Sequence, residues 1–160
     1  MLIIVSLGYT DLGNLSLNEN QQNQFLKIDN ERIRFSQKGK GKDVLLIHGT
    51  PGSIEDWNEI VDSLSKNYRI TTFDRLGHGF SSLNKYTYHI EDNAVLVEKL
   101  IKQLNLESPL IVGHSYGGSI VAFMAVNSKL KNLEYVIIDS PLYKYKPSKT
   151  YQLVGCSNYR

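Results

Sequence analysis

The sequence predicts an α/β fold, with a mostly parallel sheet, helices on both faces and an antiparallel hairpin at its N-terminal edge. Three observations carry this expectation. Continuous apolar runs alternate with segments of helical periodicity, the pattern that builds right-handed βαβ crossovers. Two short alternating runs precede them with no helix between, as a hairpin does. Finally, Val112-Gly113-His114-Ser115-Tyr116-Gly117-Gly118 drives an apolar run straight into a helix-length segment. In G-x-S-x-G the chain must turn sharply from strand to helix, which holds the serine in a strained backbone conformation with its hydroxyl exposed. Gly113 and Gly117 flank that serine because side chains there would collide with the neighbouring strand or helix.

The elements follow in order. Phe25-Leu26-Lys27-Ile28-Asp29 and Arg32-Ile33-Arg34-Phe35-Ser36 are two short strands separated by Asn30-Glu31, and Gly39-Lys40-Gly41 is a turn. Val44-Leu45-Leu46-Ile47-His48 is apolar throughout, as a strand covered on both faces must be. Ser53 with Asp56 opens a helix in the manner of a capping box. Trp57, Ile60, Val61 and Leu64 then form one apolar helix face, so Trp57 is read as core. Tyr68-Arg69-Ile70-Thr71-Thr72-Phe73 is the next strand. Ile90, Ala94, Val97, Ile101 and Leu104 recur at helical spacing and place a helix over roughly residues 88–105. The serine turn and its helix come next, and Tyr135-Val136-Ile137-Ile138-Asp139 is the last strand. Parallel strands are expected at about 43–48, 68–73, 109–113 and 133–139, with the hairpin at 24–36.

Composition narrows the function classes. The chain has 160 residues, 41% hydrophobic and 21% charged, as an ordinary soluble globular protein of one domain does. A net charge of +2 is too small to point to nucleic acid. With Cys156 as the single cysteine, no internal disulfide and no cysteine-based metal site can form. The start, Met1-Leu2-Ile3-Ile4-Val5-Ser6-Leu7-Gly8, lacks the basic flank of a signal peptide and is too short to cross a bilayer. It reads as a loosely packed end or the stub of a longer apolar segment. Without an address the default location is cytoplasmic. Residues 1–23 are thus an apolar stub and polar linker, 24–142 the folded domain, and 143–160 an irregular tail whose tyrosines (Tyr143, Tyr145, Tyr151, Tyr159) lie at the surface. No cofactor site and no metal site is expected.

Three segments end three successive parallel strands: His48-Gly49-Thr50-Pro51-Gly52-Ser53, Asp74-Arg75-Leu76-Gly77-His78-Gly79-Phe80-Ser81 and Gly113-His114-Ser115-Tyr116-Gly117-Gly118. In this order the chain over residues 25–142 resembles the N-terminal half of the α/β-hydrolase fold superfamily, in its serine-nucleophile branch of esterases, lipases, peroxidase-like and carbon–carbon bond hydrolases. The resemblance implies that Ser115 is the nucleophile. It also implies that the backbone N–H groups of Tyr116 and Thr50 form an oxyanion hole, beside the positive end of the helix that follows Ser115. It implies bracing roles for His48 and His114 and a structural role for His78. His89, at a helix start, is read as solvated. A serine here argues against the branches that use an aspartate nucleophile. The competing reading of Ser115 is a purely structural serine.

In this fold the order is nucleophile, then acid, then histidine. After Ser115 the chain carries no histidine, and its only acids are Glu134 and Asp139. Asp139 ends the strand after the serine helix, where some members of the superfamily hold an alternative acid, though an acid there is more often structural. The expected function is therefore a serine hydrolase acting on an ester-like or other carbonyl small molecule, incomplete in this chain. A truncated reading frame, a gene fragment or half of a split protein would produce this pattern. The expected partners are a complementing C-terminal half or a second copy paired through an open sheet edge. The alternative is a non-catalytic fragment or binding module that keeps the N-terminal half of the fold.

Overall fold

The computed structural model describes residues 24–83 and 89–142. The expectations for the N-terminal stub and linker, the C-terminal tail, its tyrosines and Cys156 lie outside the described residues. Six strands form one sheet in the order β1-β2-β4-β3-β5-β6. The strands are β1 (Gln24–Ile28), β2 (Glu31–Lys38), β3 (Lys42–Ile47), β4 (Tyr68–Phe73), β5 (Leu110–His114) and β6 (Glu134–Ile138). β3, β4, β5 and β6 run parallel, while β1 and β2 form the antiparallel hairpin, β2 pairing antiparallel with β4. The expected α/β class, its leading hairpin and its parallel strands are all present, with strand ends displaced by at most two residues.

The hairpin turn differs from expectation by one position. Ile28 faces Glu31, so the turn is Asp29-Asn30 rather than Asn30-Glu31. Asp29 adopts φ 54°, a left-handed conformation that short polar side chains tolerate better than most. Glu31 is thereby released to start β2.

Both faces of the sheet are covered. Val44 and Leu46 of β3 pack with Ile70 and Val112 against Trp57 and Val61. Leu45 and Ile47 point the other way, into a larger core with Phe73 and Ile111. There the sheet meets α2 (Ile90–Gln103) and α3 (Tyr116–Asn127), through Val97, Leu100, Ile101, Ile120, Val121 and Met124. This two-sided burial is why β3 reads as an unbroken apolar run.

The first face is served by a single-turn 3-10 helix, Ile54–Trp57, running into α1 (Asn58–Leu64). Its buried stripe is Ile54, Trp57, Val61 and Leu64, and not the expected set with Ile60, which is 37% exposed. Trp57, Val61 and Leu64 stay in the stripe as expected, and Ile54 of the 3-10 turn joins it. Ser53 N–H donates to Asp56 Oδ2 at 3.3 Å, and the capping box expected from the sequence is formed. Trp57 is core, at 5% exposure.

Candidate active site

The carboxyl ends of β3, β4, β5 and β6 lie on one edge of the sheet. From β3 the chain crosses to β4 on one side, and later returns to place β5 on the other. The loops after β3 and β5 therefore diverge above a crevice, where ligands of open α/β sheets bind. Ser115 stands there, as the residue between β5 and α3. Its backbone has φ 51° and ψ −118°, a region costing a non-glycine residue about 1–3 kcal/mol. The surroundings hold it in place. Its N–H donates to the Ile138 carbonyl of β6 at 2.9 Å, and its own carbonyl accepts from Ser119 N–H at 3.2 Å.

The tight turn brings α3 into contact with the strands. A Cβ on Gly113 would fall 2.3 Å from the Gly117 carbonyl oxygen, and one on Gly117 would fall 2.2 Å from that of Ile47. No side chain fits either gap. These are the collisions expected for the two glycines flanking the serine.

The loop after β3 faces the serine. A Cβ built on Gly49 would lie 3.0 Å from Ser115 Cβ, so Thr50 and Ser115 belong to the same end of the sheet. His48 beneath it is fully buried. Its Nε2 accepts the Arg75 backbone N–H at 3.0 Å, and its Nδ1 donates to the Gly49 carbonyl at 2.8 Å. Burial, with the Arg75 charge second, pushes its pKa down to about 3, so the ring is neutral and both nitrogens are engaged. His48 braces two loops. His78 is held likewise, its Nδ1 donating to the Leu76 carbonyl at 3.0 Å and its Nε2 accepting from Arg75 Nη2 at 3.1 Å. Burial lowers its pKa. His114 is exposed at the end of β5, and His89 is exposed at the start of α2.

Two charged residues at the end of β4, quoted in the sequence as part of a motif but given no role, organise this edge. Asp74 is fully buried. Its Oδ1 accepts from Ile54 N–H at 2.9 Å, and its Oδ2 from Phe80 N–H at 2.8 Å and Arg34 Nη1 at 3.3 Å. It ties its own loop to the 3-10 turn and to the hairpin. Arg75, also fully buried, donates from Nε to the His48 carbonyl at 3.1 Å. Its Nη2 reaches the Gly49 carbonyl at 2.8 Å and Thr50 Oγ1 at 2.6 Å. Its guanidinium carbon sits 4.7 Å from the centre of the Tyr116 ring. An Asp-Arg pair between an apolar strand and a glycine-rich loop was the available signal, since charges at a buried strand end must be satisfied by their surroundings.

Asp139 lies just past β6, exposed, with φ 42°. The preceding residue, Ile138, supplies the carbonyl that holds Ser115. The structure thus brings Thr50, Ser115, Tyr116 and Asp139 to one edge of the sheet. All 4 histidines precede Ser115 in the sequence. Among the described residues no group of three His, Cys, Asp or Glu side chains could hold a metal ion, and no helix is long and apolar enough to cross a membrane.

A doubly covered parallel sheet with a strained serine where β5 enters α3 defines an α/β protein with its site at the strand ends. Residues 43–154 match the family described as alpha/beta hydrolase fold, and the chain belongs to that family. It is 32% identical over 116 residues to the dihydrolipoyllysine-residue acetyltransferase component of the acetoin cleaving system of Cupriavidus necator, covering 72% of this chain and 31% of that protein. To the non-heme chloroperoxidase of Streptomyces lividans it is 37% identical over 83 residues, covering 51% of this chain and 30% of the relative. Among solved structures, the bromoperoxidase from Bacillus anthracis superposes with a TM-score of 0.67 at 34% identity, over 72% of this chain and 43% of that one. The chain spans about a third of the length of the curated relatives it matches.

Proposed function

We propose that this chain is the nucleophile-bearing half of a serine hydrolase, with Ser115 attacking an ester-like or other carbonyl carbon. The observation that carries the reading is the backbone of Ser115, φ 51° and ψ −118°, between β5 and α3. A protein tolerates strain of this kind where the surrounding structure over-determines it, and such residues cluster at active sites. In the reaction Ser115 Oγ bonds to the carbonyl carbon and gives its proton to a base. The carbonyl π electrons move onto oxygen, where the N–H groups of Thr50 and Tyr116 receive the charge beside the α3 N-terminus. Collapse of this intermediate expels the protonated alcohol and leaves an acyl-enzyme, which water hydrolyses.

The usual base in this reading is a histidine, and none follows Ser115 in the sequence. In this reading the histidine and its orienting acid come from a complementing C-terminal part, and Asp139 is an alternative acid placed on the correct edge. The same absence favours a second reading, a non-catalytic module that keeps half the fold. A fluorophosphonate probe tests the assignment. Ser115 should be labelled slowly and Ser115→Ala not at all. Equal labelling of both proteins would overturn the nucleophile and leave the second reading.

A further inference from the structure

Arg75 contacts both halves of the proposed anion site from below. One guanidinium donates to His48 O, Gly49 O and Thr50 Oγ1, three consecutive residues of the loop after β3. Its central carbon also lies 4.7 Å from the centre of the Tyr116 ring, the residue that follows Ser115. The guanidinium is planar and rigid, so groups bound to its edge and its face are fixed relative to each other. The consequence for Thr50 follows from peptide geometry. The Gly49 carbonyl and the Thr50 N–H belong to one trans peptide and point in opposite directions. Holding that carbonyl on Arg75 Nη2 at 2.8 Å aims the Thr50 N–H away from the guanidinium. Gly49 itself lies against Ser115.

We propose that Arg75 is a positioning residue that sets the Thr50 and Tyr116 amides as one binding site for a carboxylate or a developing alkoxide. The proposal rests on reading these two amides as the oxyanion donors, and it adds what orients them. The geometry of the fork is required and not the positive charge alone. A lysine keeps the charge but has no planar fork to span the partners on His48, Gly49, Thr50 and His78, and no delocalised guanidinium to set beside the Tyr116 ring.

Butyrate titrated into the 15N-labelled 160-residue chain tests this by NMR, with the Thr50 and Tyr116 amide shifts as readout. In the wild type both amides should shift saturably. Arg75→Lys and Arg75→Met should each weaken butyrate about tenfold, with β3 and β5 amides at their wild-type shifts. Thr50→Val, which removes one acceptor of the fork at an exposed position, should weaken binding about threefold, and it decides the matter if the Arg75 variants do not fold. Wild-type affinity in Arg75→Lys, or in Thr50→Val where Arg75→Lys is unfolded, overturns the positioning role and leaves the donors assigned. A wild-type chain whose two amides ignore butyrate overturns the donor assignment and this proposal together.

Discussion

At the scale of single residues, His48 links the site to the stability of the chain. Its ring is buried and neutral with a pKa near 3, well under the ordinary 6.5. The unfolded chain therefore binds this proton first as pH falls, and folding opposes it. The contribution is fully present above about pH 6.5 and is lost progressively as pH drops toward 3, by about 1.4 kcal/mol per pH unit. Urea unfolding at pH 7.5 and pH 5.0 should show this acid sensitivity, and His48→Asn should lower stability at pH 7.5 while flattening the dependence. An equally steep acid limb in His48→Asn would assign the effect to other groups. The role of His48 as a brace was legible in its motif, because it stands at a strand end beside a glycine. The grip of Arg75 was not. Its partners sit in a loop after a different strand, and which carbonyls turn toward a buried guanidinium depends on tertiary packing.

Among the elements, β6 is one of the two edge strands of the described sheet, pairing on one side with β5. Tyr135 and Ile137 pack onto the core beneath α3, while Val136, on the opposite face, is 40% exposed. An edge strand with open backbone groups and an uncovered valine invites pairing with another chain. The purified chain should therefore self-associate at tens of micromolar (an order-of-magnitude concentration). Val136→Lys should shift sedimentation toward monomer, weakening association about tenfold, with thermal stability changed by roughly 0.5 kcal/mol or less. A wild-type chain that sediments as a monomer at those concentrations would remove the premise. The strands and helices were readable because two-sided burial leaves unbroken apolar runs and amphipathic helices leave periodic ones. The differences lie where local geometry is subtle, at the Asp29-Asn30 turn and at Ile60, which faces outward while Ile54 of the 3-10 turn joins the buried stripe.

For the whole molecule, the proposed site combines a nucleophile with an anion cradle, and no histidine follows Ser115 in the sequence. A serine hydroxyl needs its proton removed as it attacks, and losing triad members costs on the order of a million-fold in a serine protease. The 160-residue chain should accordingly hydrolyse a short-chain p-nitrophenyl ester no faster than its Ser115→Ala variant. Turnover by the wild type that Ser115→Ala abolishes would show the chain sufficient by itself. The base would then have to be sought among His48, His78, His89 and His114. His48 and His78 have both ring nitrogens engaged, so the exposed His114, next to Ser115 in the chain, would be the first to replace.

The hydrogen bond from Ser115 N–H to the Ile138 carbonyl makes the outermost strand part of the site. Edge strands open at lower free energy than the centre of a sheet. Each time β6 frays, the serine loses a restraint on its costly backbone and can relax to an ordinary one. In the proposed reading, competence at Ser115 therefore depends on an edge strand, so heat should silence the serine well before it melts the sheet, and whatever clamps β6 from outside would also keep the serine cocked.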